Sequence, residues 1–355
     1  MKQEVRITDL SRAGAILSQH IEESSYRRLI IIADQNTEEH CLRRLNDGSS
    51  MPEIWYTAPV IIVPAGEGCK DISVVTDVWR QLSELPAHRD TCLCALGGGA
   101  LTDMAGFVAA TYKRGTGLIN IPTTLLGAVD AAIGGKTGID LEGVKNIIGA
   151  FYPASLTLIC PQLFESLPAS ELLSGYGEVL KYALLVGKPL FSEVLSRRAG
   201  DTTPDILRAC IEHKQRIVAE DPFDQGVRMT LNLGHTVAHA LEGLMVRRQR
   251  PPIAHGIAVT AGIIVELYLS VKRCGLDRNT LYSIAGYIRD EFPRAAFTCH
   301  DYGILMEIMR QDKKNTGDHI TCILLAEPGS PLIVRDITSK EIEEALDFYR
   351  DFVGI

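Results

Sequence analysis

Thr91-Cys92-Leu93-Cys94-Ala95-Leu96-Gly97-Gly98-Gly99-Ala100-Leu101-Thr102-Asp103 is the stretch on which the fold class turns. A largely apolar run of strand length meets three glycines, and helix-compatible residues follow at once. Glycines at such a junction let the backbone come close to a phosphate, and the first N–H groups of the helix then point at it. The spacing is not GxGxxG. Taken alone, a tight strand-to-helix turn explains the motif as well as a nucleotide does.

Three further runs repeat the pattern on either side. Leu29 to Ala33 ends at Asp34-Gln35-Asn36, Val60 to Val63 ends at Pro64-Ala65-Gly66-Glu67, and Leu118 to Ile121 ends at Pro122-Thr123-Thr124. Helix-compatible segments separate several of them, which predicts a parallel sheet with crossover helices. In such a sheet ligands sit outside the carboxyl ends of the strands, where all four turns fall. The four ends together shift the reading toward a nucleotide, with Asp34 suited to a ribose hydroxyl and Glu67 and Lys70 near the adenosine. Beyond Pro161 the texture changes. Leu163 to Val186, Ile206 to Val218, Leu231 to Leu244, Ile257 to Val271 and Ile342 to Val353 carry helical spacing, and Ile320 to Leu325 reads as a late strand. The expected organisation is an α/β domain over residues 1–160 and a mostly helical domain over 161–355.

Composition agrees. A chain of 355 residues exceeds what one core usually serves, so two domains of roughly 100–200 residues are expected. With 46% hydrophobic and 23% charged residues it reads as an ordinary globular protein. A net charge of −8 argues against a generic nucleic-acid binder. No apolar run reaches about 18 residues, so no membrane span is expected. Met1 to Arg6 lacks the apolar region of a signal peptide. The nine cysteines are scattered, without CxxC spacing, and fit a reduced cytoplasm in which most are small core residues.

Two more groups of residues carry chemistry. Ile133-Gly134-Gly135-Lys136-Thr137-Gly138 lacks the spacing of a nucleotide triphosphate loop, yet a glycine-flanked lysine suits an anion, and Lys145-Asn146 follows. Glu178 and Lys181 share a helix face. Asn232-Leu233-Gly234-His235-Thr236-Val237-Ala238-His239 places two histidines one helical turn apart, a spacing that can bind one metal. Thr236 stands where a zinc protease needs glutamate. His255-Gly256 precedes another apolar helix. One glutamate and three histidines make a metal site; their spacing leaves open which of them bind.

Taken together these segments resemble 3-dehydroquinate synthases. The similarity runs from Gly97 to about Gly256 through Gly97-Gly98-Gly99-Ala-Leu-Thr-Asp103, Thr111-Tyr-Lys-Arg114-Gly115, Pro122-Thr123-Thr124, Val129-Asp130, Gly134 to Gly138, Lys145-Asn146, Gly177-Glu178-Val-Leu-Lys181-Tyr and Arg228 to His235. His255-Gly256 and Asp312-Lys313-Lys314 complete it. The resemblance implies a Rossmann-like N-terminal domain and a helical, metal-binding C-terminal domain. It implies a divalent metal, zinc or alternatively cobalt, on Glu178, His235 and His255, with His239 in the active site but off the metal. It implies NAD held by Asp34, Asn36, Glu67, Lys70, Gly98, Gly99, Asp103, Thr123 and Thr124, with Asp130, Lys136 and Lys145 beside it.

The family substrate is an anionic sugar phosphate, 3-deoxy-D-arabino-heptulosonate 7-phosphate. Arg114, Lys136, Lys145, Lys181, Lys214, Arg228 and Lys313 or Lys314 fall at family positions for it, and Asp130, Asn146, Asn232 and His239 complete the polar shell. A negatively charged protein that gathers such cations focuses an anion on them. The implied course is transient oxidation by NAD, elimination of phosphate with Lys136, Asn146 and His239 around it, re-reduction, and aldol closure. Departures are mild: Asp224 replaces a usual glutamate, and Gly177 replaces a usual alanine. The resemblance also implies a homodimer. Rivals are cyclases making valiolone or inosose products and a metal-dependent polyol dehydrogenase of the same fold. The Gly134-to-Gly138 loop, Lys145-Asn146 and segment 228–239 favour the dehydroquinate branch, and a dehydrogenase needs fewer cations.

Overall fold

The computed structural model describes residues 3–142, 144–311 and 319–355. Lys313 and Lys314 lie outside them. The chain divides into two compact units, Met1–Pro168 and Ala169–Ile355.

The first unit contains β1 (Glu4–Ile7), β2 (Arg28–Asp34), β3 (Val60–Val63), β4 (Thr91–Gly97), β5 (Gly117–Pro122), β6 (Lys136–Leu141), β7 (Val144–Phe151) and β8 (Leu156–Ile159). Six of them form one sheet in the order β1-β8-β5-β4-β2-β3, and each pairing is parallel. The four apolar runs are β2 to β5. Every residue of β4 is buried, which is why its run is apolar on both faces. Helices α1 (Leu10–Ser24), α2 (Ile72–Glu84) and α3 (Gly99–Thr111) accompany the sheet. Ile30, Ile32, Leu93 and Ala95 from the strands share one core with Val75 and Leu82 of α2 and Met104 and Val108 of α3. The strand following β2 pairs on one side of it and β4 pairs on the other. Chain order therefore reverses at β2, the kind of place where open α/β sheets bind ligands.

The loop expected at 133–138 becomes strand at Lys136. β6 and β7 form an antiparallel hairpin with Lys136 opposite Phe151 and Gly138 opposite Gly149. Glycines and charges interrupt any period-two apolar pattern there, so the residues do not announce strands. The 3-10 helix Pro161–Ser166 belongs to this unit: Arg44 donates to the Gln162 carbonyl at 2.8 Å and the Glu165 carboxylate at 2.7 Å.

The second unit contains α4 (Ala169–Val186), α5 (Pro204–Glu220), α6 (His235–Arg247), α7 (His255–Cys274), α8 (Arg278–Glu291), α9 (Tyr302–Arg310), the antiparallel pair β9 (Ile320–Leu325) and β10 (Pro331–Ile337), and α10 (Ser339–Val353). Helix α7 is buried over nearly its whole length and packs against α4, α6, α8, α10 and β9. A helix apolar all round is a core helix. Two expected helices are each divided. Leu163 to Val186 is the 3-10 helix followed by α4, because Pro168 lacks an N–H and holds Leu167 extended at ψ 139. Leu231 to Leu244 is the 3-10 helix Val227–Asn232 followed by α6, with Gly234 between them at φ 81. Only glycine takes that geometry without strain. Among the described residues no helix is long and apolar enough to cross a membrane.

Candidate active site

In the first unit the candidates gather at the carboxyl edge of the sheet. Asp34 ends β2, and its buried carboxylate accepts from Thr37 N–H at 2.9 Å, closing a reciprocal cap. Asn36 is exposed in that turn. Gly98 precedes α3 with extended backbone (φ −74, ψ −174). The glycines there answer a need for space: a Cβ on Gly99 would lie 2.9 Å from Ala131 Cβ. Thr123 N–H donates to the Gly97 carbonyl at 3.0 Å, and Thr124 Oγ1 accepts from Gly127 N–H at 3.0 Å. Asp130 lies in the short π-helix Gly127–Ala131 that follows.

Glu67 and Lys70 lie on the 3-10 helix Gly66–Lys70 after β3. Glu67 is exposed, but Lys70 is only 3% exposed and pairs with Asp103 of α3 at 3.0 Å. Its ammonium also donates a short hydrogen bond to the Asn146 side-chain oxygen on β7. Burial by itself would lower the Lys70 pKa; the carboxylates of Asp103 and Glu67 outweigh it and raise it. Asn146 sits at φ 52, held by its N–H donating to Asp140 Oδ1 at 2.8 Å. Lys136 and Lys145 are exposed on the same hairpin. Arg114 is not brought to this edge. It follows the end of α3 and precedes β5, at the amino end of the strands.

In the second unit three helices converge. Glu178 and Lys181 lie on α4 and are buried, at 0% and 1% exposure; Lys181 Nζ stands 2.5 Å from Glu178 Oε2. The other oxygen, Oε1, faces His235 Nε2 at 3.5 Å and His255 Nε2 at 3.2 Å. Both histidines are the first residues of their helices, α6 and α7. Their approach depends on close helix crossing: a Cβ on Gly256 would lie 1.7 Å from the Ser174 carbonyl oxygen, and one on Gly177 would lie 2.4 Å from that of Gly256. Among the described residues the ligand atoms of Glu178, His235 and His255 lie within 4.8 Å of one another. His239 is a neighbour, its ring 5.5 Å from that of His235, but it is exposed and stands outside that set. Spacing alone left these alternatives open.

Each of these two histidines has an acceptor facing its far nitrogen. His235 Nδ1 lies 3.1 Å from the Leu233 carbonyl. His255 Nδ1 lies 3.5 Å from Glu242 Oε1. Burial pushes the His235 pKa well below its usual value, against the pull of Glu178. Burial acts on His255 too, but hydrogen bonds to Glu178 and Glu242 raise it to about 10. A cation bound here would therefore replace a proton on His255. Glu242, which spacing did not single out, is legible only as the residue one turn beyond His239 on α6.

The remaining candidates of this unit are Lys214, Arg228 and Asn232. Lys214 on α5 and Arg228 are buried, at 6% and 3% exposure. The Arg228 segment is held by Asp221, whose carboxylate accepts from the N–H groups of Gln225, Gly226 and Arg228 at 3.0, 2.7 and 3.1 Å. Asn232 donates to the Met229 carbonyl at 2.9 Å.

A family model for the N-terminal part of 3-dehydroquinate synthase matches residues 60–174, and one for its C-terminal part matches 175–315. The chain belongs to the 3-dehydroquinate synthase family. A 3-dehydroquinate synthase of Parabacteroides distasonis is 40% identical over 96% of this chain and 96% of its own length. A solved 2-epi-5-epi-valiolone synthase from Streptomyces hygroscopicus subsp. jinggangensis, with NAD+ and Zn2+ bound, is 25% identical with a TM-score of 0.81, covering 99% of this chain and 97% of its own. A solved 2-deoxy-scyllo-inosose synthase, complexed with carbaglucose-6-phosphate, NAD+ and Co2+, has the same fold at 21% identity and a TM-score of 0.81, covering 96% and 95%. The expected Rossmann-like sheet and helical second domain are thus the family fold.

Proposed function

We propose that this protein is a lyase that converts 3-deoxy-D-arabino-heptulosonate 7-phosphate into 3-dehydroquinate and inorganic phosphate, the second step of the shikimate pathway. One observation carries the reading. A buried glutamate faces two histidine Nε2 atoms in a chain 40% identical to a 3-dehydroquinate synthase over 96% of its length.

The residues fit a divalent ion. One carboxylate oxygen and two imidazole nitrogens converge, and both far nitrogens face acceptors, which leaves the near ones as lone-pair donors. Zinc suits this set, and cobalt does as well. Such an ion supplies Lewis acidity toward substrate hydroxyls. The strand-end edge fits NAD, with Asp34, Asn36, Glu67, Lys70, Gly98, Gly99, Asp103, Thr123 and Thr124 as its contacts; NAD supplies a hydride acceptor that is regenerated in the cycle.

The chain's own groups bind and orient. By the resemblance, Lys136, Lys145, Asn146 and Asp130 serve the phosphate end, and His239 orients the leaving group. Lys181, Lys214, Arg228, Asn232 and Lys313 take the carboxylate end and the hydroxyls. Lys181 also engages Glu178 Oε2, and Oε1 is the oxygen that would be offered to an ion. By its resemblance the enzyme is a cytoplasmic homodimer.

Incubation with the heptulosonate phosphate, NAD and Zn2+ tests the reading, with phosphate release and carbocycle formation both followed. Stoichiometric release of both is expected. Absence of phosphate release overturns the proposal, and equal turnover of a keto sugar phosphate that lacks the carboxylate would favour another cyclase. His235→Ala is expected to lose bound zinc on dialysis and to lower kcat/KM by more than about 100-fold, beyond what loss of an outer-shell partner costs. Full zinc content in that variant removes His235 from the ligand set.

A further inference from the structure

We infer that Glu242 is the positioning residue for His255, fixing which imidazole nitrogen faces the ion. The inference rests on the metal centre proposed above. His255 presents Nε2 to Glu178 Oε1 at 3.2 Å, and its Nδ1 faces Glu242 Oε1 at 3.5 Å from the other side. A carboxylate accepts and does not donate, so once an ion displaced the Nε2 proton, Glu242 would keep the remaining hydrogen on Nδ1 and leave the Nε2 lone pair to the ion. Glu242 is only 8% exposed, and a buried carboxylate needs hydrogen bonds to offset its lost hydration. His255, with 29% side-chain exposure, starts its helix and has no preceding helical turn to hold its ring.

His235 shows the contrast. Its Nδ1 faces the carbonyl of Leu233, a backbone group two residues away. That ring is oriented locally by the turn that begins α6. The His255 ring is oriented across two helices, by a side chain of α6 acting on the first residue of α7. With an ion on Nε2, the Nδ1–H would become more acidic and its bond to Glu242 stronger, and Glu242 would in turn make Nε2 a better donor. Glu242 therefore sets both the aim and the basicity of one ligand.

The test measures Zn2+ affinity of the full-length protein by competition with a chromophoric chelator. It also records the visible absorption of the Co2+-loaded protein. Glu242→Leu removes the acceptor; Glu242→Gln keeps an acceptor oxygen and loses the charge. Far-UV circular dichroism and Tm establish that each variant is folded. The expected order of Zn2+ affinity is parent, then Glu242→Gln, then Glu242→Leu, with the last weakened about 10–100-fold. The Co2+ bands of the variants are expected to shift. Should Glu242→Leu fail to fold, Glu242→Gln decides alone: affinity within twofold of the parent and unmoved Co2+ bands overturn the inference. Lost turnover with unchanged metal affinity overturns it too, while leaving the proposed reaction standing. A parent protein that binds neither ion overturns the metal centre itself.

Discussion

Each unit buries a lysine against a carboxylate, and the two pairs serve different ends. Lys70 reaches Asp103 across 33 residues of chain and also holds Asn146. It links the turn after β3 to α3 and to the β6–β7 hairpin, and Asp103 keeps 20% side-chain exposure. Lys181 pairs with Glu178 one turn away on the same helix, and both are buried to about 1% or less. The first pair joins elements that come from distant parts of the chain. The second leaves chain connectivity untouched and instead compensates a charge that two histidines also face. A lysine that ties elements together can sit beside a partly wet partner, whereas one that neutralises a site must be as dry as the site.

The largest effect follows from that difference. Lys181→Met leaves Glu178 charged and fully buried, and is expected to lower unfolding free energy by about 3–5 kcal/mol in urea titrations with chelator present. Saturating Zn2+ should restore part of it, because a bound cation stabilises the folded state. Lys70→Met leaves a carboxylate with solvent access, and about 1–3 kcal/mol is expected, with no rescue by Zn2+. Equal losses, or Zn2+ rescue of the Lys70 variant, would break the comparison.

Next comes the backbone that brings the second site together. Gly256→Ala forces a Cβ onto the Ser174 carbonyl at a helix crossing. A cost of about 1–3 kcal/mol is expected, with weaker Zn2+ binding because His255 is the adjoining residue. Unchanged zinc affinity would mean that the crossing does not position the ligand.

The smallest effect sets the surface scale. Arg273 of α7 pairs with Glu341 of α10 at 2.6 Å. The hydrogen bond from Arg273, aided by those from Thr338, holds the Glu341 carboxyl down at about 2 against an ordinary 4.5. A depressed carboxylate stabilises the fold above its unfolded pKa, and that contribution fades as pH falls through the folded one. Glu341→Gln should therefore lower Tm slightly at pH 7, less than either buried-lysine variant does, with the difference vanishing between about pH 4.5 and pH 2. A difference that persisted at pH 2 would assign the loss to the helix cap.

Much of this organisation was legible in the residues. Strands β2, β4 and β5 read as apolar runs because nearly every residue in them is buried; edge strand β3 is apolar although Val60 is exposed, and turn residues mark the end of each. The i,i+3 spacing of Glu178 and Lys181 forces them onto one face of α4 whatever surrounds it. The breaks in the two expected helices were written in Pro168 and Gly234, but helical periodicity on either side masks such residues. The β6–β7 hairpin was hidden because strands rich in glycine and charge carry no alternation.

The candidate metal residues divide along the same line. Local spacing is a property of the chain, so it established that His235 and His239 lie one turn apart and that Glu178 sits on a helix face. It could not choose among the histidines, because His255 enters through the packing of α7 on α4, at glycines whose role is visible only when the opposing carbonyl is seen. The inward turn of Nε2, the burial that lowers the His235 pKa, the hydrogen bonds that raise that of His255, and the approach of Glu242 all depend on distances between helices. Backbone periodicity fixes neighbours along one helix; side chains on different helices meet only when the core has packed.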